Sequence, residues 1–398
     1  MTRLWAAIGW KRLLVTALCL AAWRGLDDVP VTGLNPNLID ARLQALSLSS
    51  PIHAIGTGPP FAGVSVAVMG LTPYIFALIV ITLIEGISSR VHTIASTPGG
   101  RLRLERWTRA LAIAFALGQA SGWTSLMESS YALPSPLGWF PRLLIVLELT
   151  AATVFLILLA DVIDEFGLGF GNGAFLIYAL GPVAIEVHRL AFAFSSVPSV
   201  EALYAPFGIW LVFSVGVVAA TVGVLLAVRR VKAAGDLKIL MSGVIRPPVF
   251  AQTLLSLPVY YSSYIAVSNP GLTQAIRESL TPYGPNRLTD VAFVVLEGAV
   301  IIGFTLFVVA IDFRWTSLSA ELRHHYARLA FIGGVFLALA VVVLPVLDWN
   351  LTLAAGRGTS MSGLSAVLVT AIILAMVGRI EVVAHTGRGL AIQMSRLP

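Results

Sequence analysis

Charged side chains are scarce in this sequence. Of its 398 residues only 12% are Asp, Glu, Lys or Arg, whereas 57% are hydrophobic and the mean hydropathy is +0.88. An ordinary soluble domain carries about 25% charged residues, and a soluble globule of this length could not hide so much apolar surface. The composition therefore excludes a soluble enzyme, a disordered protein and a nucleic-acid-binding protein. It predicts a chain that crosses a membrane several times.

Cysteine and catalytic motifs are nearly missing as well. The single cysteine, Cys19, excludes internal disulfides and multi-cysteine metal sites. The sequence holds no HExxH motif, no CxxC motif and no phosphate-binding loop. The adjacent His324 and His325 are more typical of a solvated turn than of a metal site. We therefore expect no enzymatic activity, no cofactor and no metal.

Long apolar stretches fill most of the chain. Each is close to the 17–25 residues that a helix needs to cross a bilayer. They cover roughly residues 11–26, 62–84, 107–127, 140–160, 173–194, 206–228, 243–265, 290–311, 329–347 and 361–380. With the amino terminus inside, nineteen of the 26 Lys and Arg residues fall in inner segments and seven in outer ones. Because cytoplasmic segments are enriched in these residues, the split predicts ten spans with both termini in the cytoplasm.

Two of these stretches suggest an internal repeat. Residues 70–77 (GLTPYIFA) and 243–251 (GVIRPPVFA) both contain a glycine followed by Pro-x-x-Phe-Ala, and Pro73 and Pro247 are 174 residues apart. Spans two and seven hold matching places in two five-span halves and would cross in opposite directions, as inverted repeats do. Helices that proline interrupts at such matching places are typical of a transport path.

Glu148 is interpreted as the one ionisable residue deep in a predicted span. Such a residue is either a buried carboxylate with a partner or a proton or ion site. Together with the interrupted helices, it supports a secondary transporter of a small molecule or an ion as an alternative function.

Four segments together resemble SecY, the family that forms the central subunit of the protein-conducting channel. They are residues 29–33 (VPVTG), 70–77, 161–173 (DVIDEFGLGFGNG) and 243–251. The resemblance implies an all-α polytopic membrane protein with ten transmembrane helices in two pseudo-symmetric five-helix halves around a central pore. The halves would be residues 1–205 and 206–398. Its function would be translocation of unfolded polypeptides across the bacterial cytoplasmic membrane, or their insertion into it. A non-conducting membrane scaffold descended from the channel is a further alternative.

The resemblance also assigns roles to individual residues. A ring of apolar side chains at the pore waist would comprise Ile75, Ile79, Val249 and Leu368, with Tyr178 at the position that helix five contributes. Helices two and seven would form a lateral gate into lipid. The gate residues would be Pro73, Tyr74, Phe76, Pro247, Pro248 and Phe250. A short half-helix over about 60–68 would form a plug, which would include Pro60, Phe61, Gly63 and Val64.

The same resemblance implies partners. A small SecE-like membrane subunit would clamp the two halves, and a SecG-like subunit is a further expected partner. Clients would be unfolded polypeptides. In the family the cytoplasmic 6–7 and 8–9 loops receive the ribosome or the motor ATPase SecA. Here those connections are brief, about 229–242 and 312–328, so we expect weak docking of either partner.

Overall fold

In the computed structural model, the longer described segments of the chain are mainly helical. The continuous segments that it describes are residues 10–27, 29–33, 65–129, 138–167, 173–178, 245–255, 257–258, 287–312 and 320–343, with isolated positions at 215–216, 219, 271–272, 275 and 367. The named helices are α1 (Trp10–Asp27), α2 (Thr72–Ile87), α3 (Ser89–Ala95), α4 (Pro98–Ser129), α5 (Trp139–Phe166), α6 (Arg287–Asp312) and α7 (Ala320–Ala338). A π-helical segment, Leu339–Val343, continues α7.

The predicted second span does not begin as a helix. Residues 65–71 form successive turns, with backbone hydrogen bonds such as Gly70 N–H to the Ala67 carbonyl at 2.7 Å. Gly70 has φ +52°, a left-handed conformation that glycine adopts without steric cost. Pro73 then lies in the first turn of α2, where its missing N–H has no intrahelical partner to lose. The prediction of a span from residue 62 is therefore wrong for residues 65–71.

Two helices extend beyond the apolar stretches that predicted them. We placed the third and ninth spans at 107–127 and 329–347, but α4 begins at Pro98 and α7 at Ala320. The added turns are rich in Arg, Leu and Glu, which favour helix without favouring lipid. His324, which we expected in a solvated turn, is an exposed residue of α7.

The chain folds back sharply after α2. The axes of α2 and α3 differ by 112°, and the break falls at Ser88. The Ser88 side chain accepts a hydrogen bond from the Val91 N–H and so caps α3. The direction of the chain therefore changes sharply at Ser88, where α2 ends and α3 begins.

Two described helices are long and apolar enough to cross a membrane. They are α5 and the Val291–Ile311 part of α6, and the bent pair α2–α3 adds a third candidate. α5 packs against α1 and α4, α2 packs against α4, and α6 packs against α7. α2 also contacts α6, which brings parts of the chain more than 200 residues apart into one core. The count of ten spans remains a prediction.

Candidate pore and lateral gate

One buried cluster joins the segments that the sequence singled out. We call it the central cluster; it draws on α2, α6, α7 with its π-helical segment, and the short helical segments 173–178 and 245–255. Its members are Ile75, Phe76, Ile79, Phe175, Tyr178, Ile245, Val249, Phe250, Ala251, Ile301, Leu337, Ala338, Ala340, Val341, Val342 and Val367. No described member is charged, so the middle of the described structure is a core of almost entirely apolar side chains.

Four of the five predicted waist residues meet in the central cluster. Ile75 and Ile79 are one helical turn apart and project from the same side of α2. They pack with Val249 and Tyr178, and none of the four is more than 4% exposed. Leu368 lies outside the described residues, although its neighbour Val367 is a buried member of the cluster.

Tyr178 is the polar member of the cluster. It is buried, and its hydroxyl interacts with the Thr253 side chain, which is also buried. Both side chains are polar but uncharged, so their proximity brings no charge into the cluster. The tyrosine therefore connects segment 173–178 to segment 245–255 across the cluster.

Two predicted gate residues, Phe76 and Phe250, are members of the same cluster, and Tyr74 packs against it. Pro73, Phe76, Pro247, Pro248 and Phe250 are buried, and Tyr74 is partly buried. On the α2 side, the rings of Phe76 and Phe115 of α4 are 6.1 Å apart. On the other side, the rings of Phe250 and Phe304 of α6 are 5.5 Å apart in an edge-to-face arrangement. Aromatic pairs therefore attach α2 to α4 and segment 245–255 to α6.

Side chains of α6 approach α2 closely at Gly86. A β-carbon at this position would lie 2.7 Å from Phe307 Cε2 and 3.1 Å from Ile311 Cδ1. Real side chains do not approach so closely, so the Phe307 and Ile311 side chains can take these positions only because residue 86 has no side chain. This contact closes the seam between the two helices at the last turn of α2.

The predicted plug is only partly within the described residues. Pro60, Phe61, Gly63 and Val64 lie outside them. From Ser65 onward the segment is made of turns rather than the short helix that we expected. Its Val66, Val68 and Met69 are buried in a second cluster against α4 and α5.

The loop after α1 ties this turn segment to the rest of the structure. Pro30 forms an isolated antiparallel bridge with Ser65, and the Val66 N–H donates to the Val29 carbonyl at 2.9 Å. Thr32 donates to Glu148 of α5 from its backbone N–H and from its hydroxyl, each at 3.2 Å. Of the two roles that the sequence left open for Glu148, the structure favours a carboxylate with a partner, but Glu148 is only partly buried and not deeply buried as expected. Its hydrogen bonds attach this loop to α5.

Sequence reasoning missed a second intramembrane carboxylate. Glu148 is not the one ionisable residue within a span, because Glu297 lies in the predicted eighth span and is 6% exposed in α6. Its presence inside the apolar stretch 290–311 was a sufficient signal. It is the one carboxylate that the described part of the chain buries.

The acidic end of α5 is held by specific partners. Asp161 accepts from Arg109 of α4, with the guanidinium nitrogen 3.1 and 3.2 Å from the two carboxylate oxygens. Asp164 accepts from the Gly173 N–H at 2.8 Å. These contacts fix the position of segment 173–178, and with it Tyr178, relative to α5.

Comparison with known proteins identifies the family to which this chain belongs. The family model described as SecY matches residues 65–326, about two thirds of the chain. The chain belongs to the SecY family. The protein translocase subunit SecY of Bacillus licheniformis is 26% identical over 421 residues, which cover 93% of each chain.

Solved structures give the same fold. A protein-conducting channel superimposes with a TM-score of 0.62 at 14% identity, covering 93% of this chain and 91% of the other. Sec61 in the canine ribosome–channel complex from the endoplasmic reticulum gives a TM-score of 0.58 at 15% identity, again over 93% and 91%. The likeness spans nearly the whole of both chains, which confirms the SecY fold and a helical membrane protein.

Proposed function

We propose that this protein is a SecY-type channel that conducts unfolded polypeptides across the cytoplasmic membrane or inserts them into it. The observation that carries the proposal is the central cluster. In a member of the SecY family, Ile75, Ile79, Tyr178 and Val249 come from three separate segments and meet in one buried apolar contact. The protein is not an enzyme, because its work is passive conduction.

The chemistry of the cluster explains how such a channel seals. An apolar constriction strips ions of water and offers no polar group in return, so ions do not enter it. A polypeptide can replace the lost side-chain contacts with contacts of its own. Wetting a buried isoleucine or valine costs about 1.5–3 kcal/mol, so the ring closes again when the client leaves.

The seam between α2 and its neighbours supplies the lateral gate in this proposal. The α2 side is held by Phe76 against Phe115, and the opposite side by Phe250 against Phe304. The described contacts between α2 and α6 include apolar side chains of the central cluster and the glycine contact at Gly86. Apolar side chains can part toward lipid without losing hydrogen bonds of their own, which suits the release of an apolar client segment.

The proposed architecture has ten spans in two halves, 1–205 and 206–398, with both termini in the cytoplasm. The Lys and Arg split supports it. Single cysteines at Arg101 and Arg230 should react with an impermeant reagent only from the cytoplasmic side, and cysteines at Ser50 and Asn286 only from outside. Labelling from the opposite side at any of these positions would overturn the topology.

We also propose a SecE-like subunit and a SecG-like subunit as partners. Few described contacts other than the central cluster join α2 to α6. A clamp around the outside would keep the two halves together when that cluster parts. Co-purification in mild detergent, followed by mass spectrometry, tests for a small helical subunit.

Widening the waist tests the channel itself. Replacing Ile79 and Val249 together with Asn gives the constriction groups that hydrate ions, so resting conductance in planar bilayers should rise above the wild-type level. Ile84→Asn and Leu254→Asn, at exposed positions of the same segments, provide the control pair and should leave conductance unchanged. Flux of one solute coupled to an ion gradient would favour a transporter. A folded double variant without current or flux would favour a non-conducting scaffold.

A further inference from the structure

Glu297 is a carboxylate buried inside a membrane-spanning helix. It is 6% exposed, and within the described residues it makes no hydrogen bond or ion pair. An ionised carboxylate without a cation is strongly disfavoured in apolar surroundings, and the usual response of such a group is to bind a proton. The proposed conduction pathway does not use this residue.

The position of Glu297 on α6 places it beside the central cluster. Ile301 lies one helical turn further along the same face and belongs to that cluster. Phe304 lies two turns along the same face and packs its ring on Phe250. Glu297 therefore continues the face that α6 presents to the proposed pore, and it does not point to the lipid.

The neighbouring part of α7 is unusual. A β-carbon on Gly298 would lie 3.6 Å from the Ala338 Cβ, so Glu297 is level with the end of the regular part of α7. The next five residues, Leu339–Val343, are π-helical and pack against α6. Short π-helical segments widen a helix by one residue and often occur at functional sites. The carboxylate and the irregular turn thus lie at one level of the helix pair.

The elements around Glu297 offer it little charge. Residues 331–343 of α7 and 247–255 contain no ionisable side chain. The ionisable groups on the other elements of the central cluster are Arg246, which is partly exposed, the phenols of Tyr74 and Tyr178, and Glu85, which lies 3.8 Å from His92. The first turns of α7 carry Glu321, Arg323, His324, His325, Tyr326 and Arg328, all ten or more residues before Ala338 in the sequence. On α6 itself, Arg287, Asp290 and Asp312 lie near the helix ends. None of these described groups is placed to pair with Glu297, so among the described surroundings water is the partner that would allow it to ionise.

We propose that Glu297 is a proton-binding site that holds its proton in the closed channel and releases it when the channel opens. The proposal rests on the channel function proposed above. Opening parts the central cluster, of which Ile301 is a member, and admits water next to Glu297. The O–H bond of the carboxyl then breaks, and the proton passes to that water. Because the ionised form favours the open channel, raising the pH favours opening.

The size of the effect has an upper limit. One proton released on opening changes the ratio of open to closed channels by at most about tenfold per pH unit. The pH dependence of opening begins above about pH 4.3, the ordinary pKa of a hydrated glutamate. It continues to higher pH for as long as the closed state retains its proton. A rise of opening probability between about pH 5 and pH 7 is therefore the expected signature.

The experiment compares Glu297→Gln with Glu148→Gln in the full chain. In planar bilayers at equal pH on both sides, wild type and Glu148→Gln should open more often as pH rises. Glu297→Gln, which resembles the protonated carboxyl, should stay at the low-pH level at every pH. Equal thermal unfolding midpoints in detergent at pH 5 establish that the variant is folded. A pH dependence that survives in Glu297→Gln would overturn the linkage to opening.

Infrared spectroscopy tests proton binding without relying on conduction. The closed protein at neutral pH should show the C=O band of a protonated carboxylic acid, and Glu297→Gln should lack it. Absence of this band in the wild type would overturn the proton site even if channels open. Absence of openings in every variant would refute both the channel function and the linkage, while the band alone would still decide whether Glu297 binds a proton.

Discussion

Replacing Gly86 with alanine should open the proposed lateral gate. The added β-carbon would lie 2.7 Å from Phe307 Cε2 and 3.1 Å from Ile311 Cδ1, well inside van der Waals contact. Phe307 is partly buried on α6 and must move, or α2 and α6 must separate. Either response weakens the closed arrangement at the last turn of α2.

The expected magnitude follows from the two opposing effects of the methyl group. Forcing a methyl group into a packed contact costs about 1–3 kcal/mol. Alanine favours helix over glycine by about 1 kcal/mol, but α2 is taken to be helical whether the gate is closed or open, so this gain cancels in the opening equilibrium. The ratio of open to closed channels should therefore rise about 5- to 150-fold. In unfolding the gain does not cancel, so global stability should fall by only about 0–2 kcal/mol.

Single-channel recording and thermal unfolding together test this reasoning. Gly86→Ala should open spontaneously more often than wild type while its unfolding midpoint stays close to the wild-type value. Gly303→Ala is the matched control, because a β-carbon there meets nothing within 4 Å. Phe307→Ala in the Gly86→Ala background should remove part of the effect. Wild-type opening in a folded Gly86→Ala protein, or an equal rise in Gly303→Ala, would refute the argument.

Two further changes test how α5 is connected to its neighbours. The Arg109–Asp161 ion pair is 45% and 40% exposed, so a double-mutant cycle with alanine, read by thermal unfolding, should give a coupling of about 0.2–1 kcal/mol; a larger value would show that the pair is shielded from water. Gly173→Ala directs a methyl group at the Ala160 carbonyl and to 3.1 Å from the Asp164 carboxylate, so it should lower the free energy of unfolding by about 1–3 kcal/mol. Gly118→Ala, with open space around it, is the control and should not lower stability. Equal thermal unfolding midpoints for the two variants would contradict the described packing.

Apolar runs predicted some helices closely and others badly, for one physical reason. We predicted 11–26 and 290–311, and the structure has α1 over Trp10–Asp27 and α6 over Arg287–Asp312. Hydropathy marks only the part of a helix that lipid surrounds. The polar starts of α4 and α7 are helical without being apolar, so the predicted starts were nine residues late. The turns at 65–71 are apolar without being helical, because Gly70 takes a left-handed conformation.

The candidate site shows a different limit. The i, i+4 spacing of Ile75 and Ile79 places them on one face of any helix, and local sequence suffices for that. Their contact with Val249, 170 residues later, came from the resemblance to SecY and from no local rule. Glu297 was missed because an apolar stretch tolerates one carboxylate without losing its hydropathy, and sequence alone does not tell whether that carboxylate points to lipid or into a core.

The shortness of the cytoplasmic connections leads to a last prediction, about docking. In the family the 6–7 and 8–9 loops receive SecA or the ribosome. Here α6 ends at Asp312 and α7 begins at Ala320, so only residues 313–319 separate the two helices. Stable protein interfaces bury about 1,200–2,000 Å² and use about 20–30 residues on each side. Residues 313–319 and 229–242 hold 21 residues together, at the low end of that range, so nearly all of them would have to contact one partner.

We therefore expect this protein to bind SecA or ribosomes at least about tenfold more weakly than a SecY with long loops, a deficit of about 1.4 kcal/mol or more. The basic side chains that remain near the membrane can attract anionic lipid as well as protein, so the comparison requires nanodiscs of the same lipid at the same salt concentration. A chimera that carries the long loops of an ordinary SecY should regain the affinity. Equal affinity without the long loops would move the docking surface to the exposed basic start of α4, where Arg101, Arg103 and Arg106 already project from a rigid helix.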